Sequence, residues 1–264
     1  MKKNPYKYFI ENGYCVIDLL NNKNIQELIN IIVKKINSEI KKKEYQFTNK
    51  NINEFHLKKL TKKSLKNIFN SSERYINLNN SLKKKLNTYP LNTFLSSLWN
   101  HSQKKIVWVG SPRLKEIKFN KAGYRIFIPT KSKKGQIKKS VGFPHIDAYS
   151  KERNDFVTLW IPLFGFSEKY TMLIAPKSHI RKHKSEDFDL KKNYISRIFS
   201  KKYINKFKFI RPRLKKGQAI IHHPNVIHSG GQNLGLKTRI SVEIRLFDKK
   251  IFDVKKNFDL KLYN

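Results

Sequence analysis

Beyond Ile106 the chain is cut into short apolar runs separated by turns, and this pattern limits its fold more than any other feature. The predicted strands are Ile106–Val109, Ile117–Phe119, Tyr124–Ile128, Phe156–Leu163, Thr171–Ala175, Gln218–His222 and Thr238–Phe247. Turn signals fall between them at Lys134-Gly135, Lys216-Gly217, Gly230-Gly231 and Gly235. Short strands at this spacing point to an antiparallel sandwich or barrel of the jelly-roll kind. Residues 183–211 interrupt the strands with a charged, partly helical insertion, read either as a lid over the barrel mouth or as a surface excursion.

The first part of the chain has a different period. Tyr8 to Leu20 is a short apolar segment broken at Asn12-Gly13, with Tyr14-Cys15-Val16-Ile17 as a strand. A helix is predicted from about Asn24 to Ile40, where Ile25, Leu28, Ile29, Ile32, Val33 and Ile36 recur at three- and four-residue steps. Residues 44–89 are polar with small amphipathic pieces such as Leu65 to Phe69, and another helix covers Leu91 to Ser102. No repeat or clean linker divides these parts. The expectation is a single domain, with a mostly helical portion over 1–104, a jelly-roll core over 105–248 and a tail over 249–264.

Composition sets the outer bounds. Hydrophobic residues make up 39% of the 264, enough for a sizeable core. No apolar run is long enough to span a membrane, and no signal-peptide core follows the basic start. The single cysteine, Cys15, excludes an intrachain disulfide and any cysteine-based metal cluster, and fits a reducing, cytoplasmic compartment. The formal net charge of +38 has two readings. One is a polyanionic partner such as nucleic acid. The other is compositional bias, since lysine dominates over arginine and the basic residues are scattered in short clusters such as Lys41-Lys42-Lys43 and Lys83-Lys84-Lys85.

The residues that suggest chemistry are His145-Ile146-Asp147, then His228 and Arg239. Two imidazoles and one carboxylate are the ligand set of a non-heme Fe(II) facial triad, which leaves coordination positions open for a bidentate 2-oxo acid and O2. On a strand, positions i and i+2 share a face, so His145 and Asp147 can reach one ion. His222 and His223 compete with His228 for the third place. Arg239 and Ser241 share a strand face, where both can bind the distal carboxylate of such an acid, guanidinium being matched to carboxylate through two parallel hydrogen bonds. Arg125 lies on the strand before the HxD and can bind 2-oxoglutarate or an anionic substrate, or pair at the surface.

The chain resembles the Fe(II)/2-oxoglutarate-dependent oxygenases of the phytanoyl-CoA dioxygenase type, and among these the bacterial members of carbohydrate-biosynthesis clusters. The resemblance is carried by Phe9-Ile10-Glu11-Asn12-Gly13-Tyr14-Cys15-Val16-Ile17, by Pro144-His145-Ile146-Asp147 and by the strand Val157–Leu163. It continues through Ala175-Pro176-Lys177-Ser178-His179, and through Gly217–His223 leading to His228, Asn233 and Arg239. Lys177 departs from the family's usual glycine, and Ser167-Glu168-Lys169-Tyr170 lacks its common Glu-Asn-Gly. The resemblance implies a mainly β double-stranded β-helix, a cupin-like barrel with flanking helices. It selects His228 as the third ligand and implies that Trp160 walls the co-substrate site. It implies an enzyme using Fe(II), 2-oxoglutarate and O2 to hydroxylate or otherwise oxidise an unactivated C–H of a small molecule. Sugar nucleotides, polysaccharide precursors and other metabolites are candidate substrates.

Two further readings stay open. Arg239-Ile240-Ser241-Val242-Glu243-Ile244-Arg245 also resembles the closing strand of the AlkB-type nucleic-acid demethylases. A basic, non-catalytic binding protein on a degenerate barrel is the other, although such a module has no need of an open metal site.

Overall fold

The computed structural model describes residues 4–41, 43–69, 74–99, 106–110, 118–130, 142–147, 156–184, 187–188, 197–250 and 252. Two antiparallel sheets face each other. The larger runs in the order β1 (Tyr14–Asp18), β9 (Gln218–His222), β6 (Phe156–Phe164), β11 (Arg239–Asp248), β4 (Lys121–Phe127) and β2 (Tyr75–Asn77), with β3 (Ile106–Val109) also paired to β11. The smaller is β7 (Leu173–Ile174), β10 (His228–Ser229), β5 (His145–Ile146) and β8 (Arg197–Ile198). This is the double-stranded β-helix, mainly β with flanking helices.

Strand β11 shows why the larger sheet has two unlike faces. Its residues alternate strictly, and side chains on a strand alternate between faces. Ile240, Val242, Ile244 and Leu246 join the main apolar core, together with Val157, Leu159, Ile161 and Leu163 of β6 and Ala219 and Ile221 of β9. The helical layer closes that face. Helix α2 (Asn22–Ser38) contributes Ile25, Leu28, Ile29, Ile32, Val33 and Ile36, and α5 (Tyr89–Trp99) contributes Leu91, Phe94 and Leu95. The opposite face of β11 presents Arg239, Ser241, Glu243 and Arg245 to the inside of the barrel.

Helix α1 (Pro5–Asn12) occupies a segment whose sequence suggests only an interrupted apolar run. Its ends explain it. Asn4 caps it by accepting from the Tyr6 N–H, Pro5 starts it, and Gly13 ends it in the left-handed conformation at φ 78°. A side chain at Gly13 would meet His179 Nδ1 at 2.5 Å, so this turn seats the N-terminal element on the 178–180 turn. Helices α3 (Lys62–Phe69) and α4 (Asn80–Leu86) fill the polar stretch. Of the predicted strands, Ile117 lies outside the described residues, while Phe119 bridges Val109.

The described part of the 183–211 insertion adds β8 to the edge of the smaller sheet and forms α6 (Lys201–Ile204). Phe199 and Tyr203 pack on Ile146, Ala175 and Ile227. Ile146 and Ile227 each neighbour an inward-facing histidine in sequence, so this aromatic cluster covers the outer face of the smaller sheet. Among the described residues no helix is long and apolar enough to cross a membrane.

Candidate metal and co-substrate site

Strands β5 and β10 pair at one point, with His145 directly opposite His228. Their rings lie 4.4 Å apart between centroids. Each imidazole is oriented by its own strand. His145 Nδ1 lies 2.7 Å from the Phe143 carbonyl and His228 Nδ1 lies 3.0 Å from the Val226 carbonyl. A carbonyl only accepts, so each Nδ1 carries the proton and each Nε2 turns a lone pair inward, the form a metal requires. Asp147 follows β5 and is held by its N–H, which donates to the Pro224 carbonyl at 2.8 Å. Its Oδ1 lies 3.8 Å from His145 Nε2 and 3.9 Å from His228 Nε2. The three ligand atoms all fall within 4.8 Å of one another, so one ion can touch all three.

The larger sheet holds the carboxylate from the other side. Arg245 Nη2 donates to Asp147 Oδ1 at 2.8 Å, and Thr158 Oγ1 donates to Oδ2 at 2.7 Å. Arg245 and Thr158 are cross-strand partners, and His222 is the next residue of the same row. Asp147 is only 1% exposed. Burial pushes its pKa up, but Arg245 and the imidazoles of His228, His222 and His145 outweigh this and hold it well below the usual carboxylate range. Burial dominates for both histidines and lowers each to about 4. The site is thus a carboxylate and two neutral imidazoles at physiological pH. The His222 ring lies tilted against that of His228, 4.2 Å between centroids, and His223 Nδ1 accepts from the Asn225 N–H; neither joins the three-atom cluster.

Arg239 is fully buried with its guanidinium over the Phe127 ring, 3.9 Å from the centroid. Its Nη1 donates to the Tyr170 carbonyl. Its Nε and Nη2 have no protein partner, and neither do the hydroxyls of Ser241 and Thr171, all of them buried. Burial first, and the nearby Arg211 charge second, bring its pKa down to about 9. A buried guanidinium with vacant donors beside two vacant hydroxyls is costly by itself, on the order of 1–3 kcal/mol for each unsatisfied group. It is what a carboxylate-bearing ligand would satisfy, so the donor set fits 2-oxoglutarate as the triad fits iron.

Arg125 stands directly across from Ser241, and its Nε lies 3.7 Å from Glu243 Oε2. It belongs to a charge row, Arg125–Glu243–Arg245–Asp147, in which Glu243 also pairs with Arg245 at 2.9 Å. Burial favours the neutral form of Glu243, but Arg125 and Arg245 outweigh it and keep it ionised. Trp160 lies opposite Glu243 and packs with Met172, Ile174 and Ile220. The contacts of Thr158 with Asp147 and of Tyr170 with Arg239 had no signal in the sequence, because the packing of the two sheets decides them.

A double-stranded β-helix whose interior joins a 2-His-1-carboxylate cluster to a buried arginine with unpartnered donors defines the class of non-heme iron oxygenases that use a 2-oxo acid. Within that class the chain belongs to the phytanoyl-CoA dioxygenase (PhyH) family, which matches residues 9–241. It is accordingly a 2-oxoglutarate-dependent dioxygenase whose cofactor is Fe(II) and whose co-substrates are 2-oxoglutarate and O2. No curated protein matches it in sequence. Among solved structures it is similar to SnoK, a non-heme alpha-ketoglutarate-dependent carbocyclase of nogalamycin biosynthesis. The TM-score is 0.57 at 13% identity, over 94% of this chain and 84% of that one. EctD from S. alaskensis, crystallised with 2-oxoglutarate and 5-hydroxyectoine, gives 0.56 at 11% identity, over 95% and 77%. The epimerase SnoN, in complex with Fe3+, alpha-ketoglutarate and nogalamycin RO, gives 0.54 at 14%, over 92% and 82%. At these identities the likeness is one of fold.

Proposed function

We propose that His145, Asp147 and His228 hold the iron, that Arg239 and Ser241 anchor the distal carboxylate of 2-oxoglutarate, and that the enzyme oxidises an unactivated C–H of a small metabolite. The observation that supports this most directly is the convergence of two Nε2 lone pairs and Oδ1 of Asp147 within 4.8 Å. Iron with 2-oxoglutarate and O2 supplies the oxidising power, with succinate and CO2 as by-products. The protein's own residues bind, orient and exclude water. The Phe143 and Val226 carbonyls fix the ring orientations, Arg245 and Thr158 fix the carboxylate, and Arg239 sets the reach of the co-substrate. Asp147 occupies the position that a halide would need in a halogenase, so the outcome is hydroxylation or a related oxidation. Arg125 and Glu243, about a fifth exposed at their side chains, supply charged groups to the same interior and suit a polar substrate. Carbohydrates and sugar-nucleotide-related metabolites are the candidates to try first, in a reducing, cytoplasmic setting and as one oxygenase domain.

Succinate release, measured with Fe(II), 2-oxoglutarate and a metabolite panel, identifies the substrate class. Alanine at His145, Asp147 or His228 should abolish turnover and greatly weaken iron binding. Full iron occupancy in His228→Ala would remove His228 from the ligand set and turn attention to His222.

A further inference from the structure

We propose that Arg211 is a second cation of the 2-oxoglutarate site, placed beside Arg239 so that two guanidiniums face one distal carboxylate. The inference rests on Arg239 being the anchor. Two pairs of consecutive residues bring these arginines together. Arg239 Nη1 donates to the Tyr170 carbonyl, and Arg211 Nη1 donates to the next carbonyl, Thr171, at 2.8 Å. At the end of β10, a Cβ on Gly230 would lie 3.5 Å from Arg239 Nη2, and one on Gly231 would lie 3.0 Å from Arg211 Nη2. Adjacent carbonyls on one side and adjacent glycines on the other therefore each touch first one guanidinium and then the other.

Setting a half-buried cation beside a fully buried one is unfavourable unless an anion joins them. Among the described residues no carboxylate pairs with either arginine. The Arg239 pKa is lowered by burial first and by the Arg211 charge second, consistent with the two cations being neighbours. Nε and Nη2 of Arg239 and the hydroxyls of Ser241 and Thr171 are all buried without a hydrogen-bond partner. Thr171 links the two halves: its carbonyl takes Arg211 while its hydroxyl is vacant. An anionic group between the two guanidiniums would be neutralised from two sides. A 2-oxo acid without a distal carboxylate would leave both cations uncompensated. Arg211 thus acts on the choice of 2-oxoglutarate over monocarboxylic 2-oxo acids.

The test is calorimetric titration of protein loaded with Mn(II), a redox-inert stand-in, using 2-oxoglutarate and 2-oxovalerate, which has the same carbon count and no distal carboxylate. Arg211→Gln should weaken 2-oxoglutarate binding by about ten-fold or more and leave the weak 2-oxovalerate binding unchanged. Arg211→Lys, which keeps the charge, should recover most of the loss. Equal weakening for both acids would make Arg211 a wall residue and overturn the inference. So would unchanged 2-oxoglutarate binding in Arg211→Gln while Arg239→Gln abolishes it, a result that leaves Arg239 as the anchor. Unchanged binding in Arg239→Gln would instead overturn the reading on which the inference stands.

Discussion

Asp147 is the residue on which both sheets converge. The smaller sheet places it beside two imidazoles, while the larger sheet grips both of its oxygens through Arg245 and Thr158. Removing Arg245 would leave Asp147 and Glu243 as two buried carboxylates deprived of the cation they share. The Asp147 carboxyl would then lose its orientation and compete for a proton. Arg245→Ala should weaken Fe(II) binding about 10–100-fold, the usual cost of an outer partner of a metal ligand. Fe(II) titration followed by the metal retained after gel filtration measures this, and undiminished affinity would show that Arg245 does not position the ligand. The histidines make a second prediction. His145 and His228 titrate near 4 in the fold and His223 near 3, against about 6.5 in an unfolded chain. Below 6.5 the unfolded chain binds more protons, so stability is fully present above that pH and falls as pH drops toward 4. Asp147 and Glu243, both depressed, extend the loss further into acid. The iron-free protein should show a melting temperature that declines steadily from pH 6.5 to 4. A flat profile until carboxylates titrate would mean that these imidazoles are solvated.

At the scale of elements, the site depends on strands too short to announce themselves. β6 and β9 were legible as continuous apolar runs, β11 by its apolar alternation and α2 by its three- and four-residue spacing. β7 falls inside the predicted Thr171–Ala175, but β5, β8 and β10 are two residues long, and no period can be read from two residues. The HxD was visible because its partners lie two residues apart. The direct pairing of His145 with His228, and the reach of Arg245 across the barrel, were not, because sheet register decides them. β10 shows how much such a strand can carry. It bears His228, pairs with β5 and β7, and ends at Gly230, where an added Cβ would lie 2.6 Å from Phe127 Cζ. Phe127 is the ring on which the Arg239 guanidinium rests. Gly230→Ala should therefore displace the ring and tilt Arg239, at an overpacking cost of about 1–3 kcal/mol. Fe(II) binding should persist, whereas 2-oxoglutarate affinity should fall about ten-fold. Loss of iron with retention of 2-oxoglutarate binding would reverse the order of effects and place the strain on His228 instead.

For the whole molecule, the question is whether the net charge of +38 is a recognition surface or a composition. Arg239, Arg245 and Arg125, which the structure buries or pairs, lie on the inward face of the larger sheet. The lysines are spread over the chain in short clusters, with no single stripe in the sequence. An AlkB-type demethylase would need the charge to hold a strand against the metal site. A small-molecule oxygenase would not, and its affinity for nucleic acid would come from counterion release alone. Such binding is independent of sequence and falls steeply between about 50 and 200 mM salt. Succinate formation should accordingly be indifferent to added oligonucleotide, methylated or not, and no formaldehyde should appear. The decisive comparison is a methylated against an unmethylated oligonucleotide at physiological salt. Electrostatic attraction to phosphates cannot distinguish one methyl group on a base, so stimulation confined to the methylated strand would require a base held at the iron. That result would replace the small metabolite with nucleic acid as the substrate, while leaving the iron and 2-oxoglutarate assignments intact.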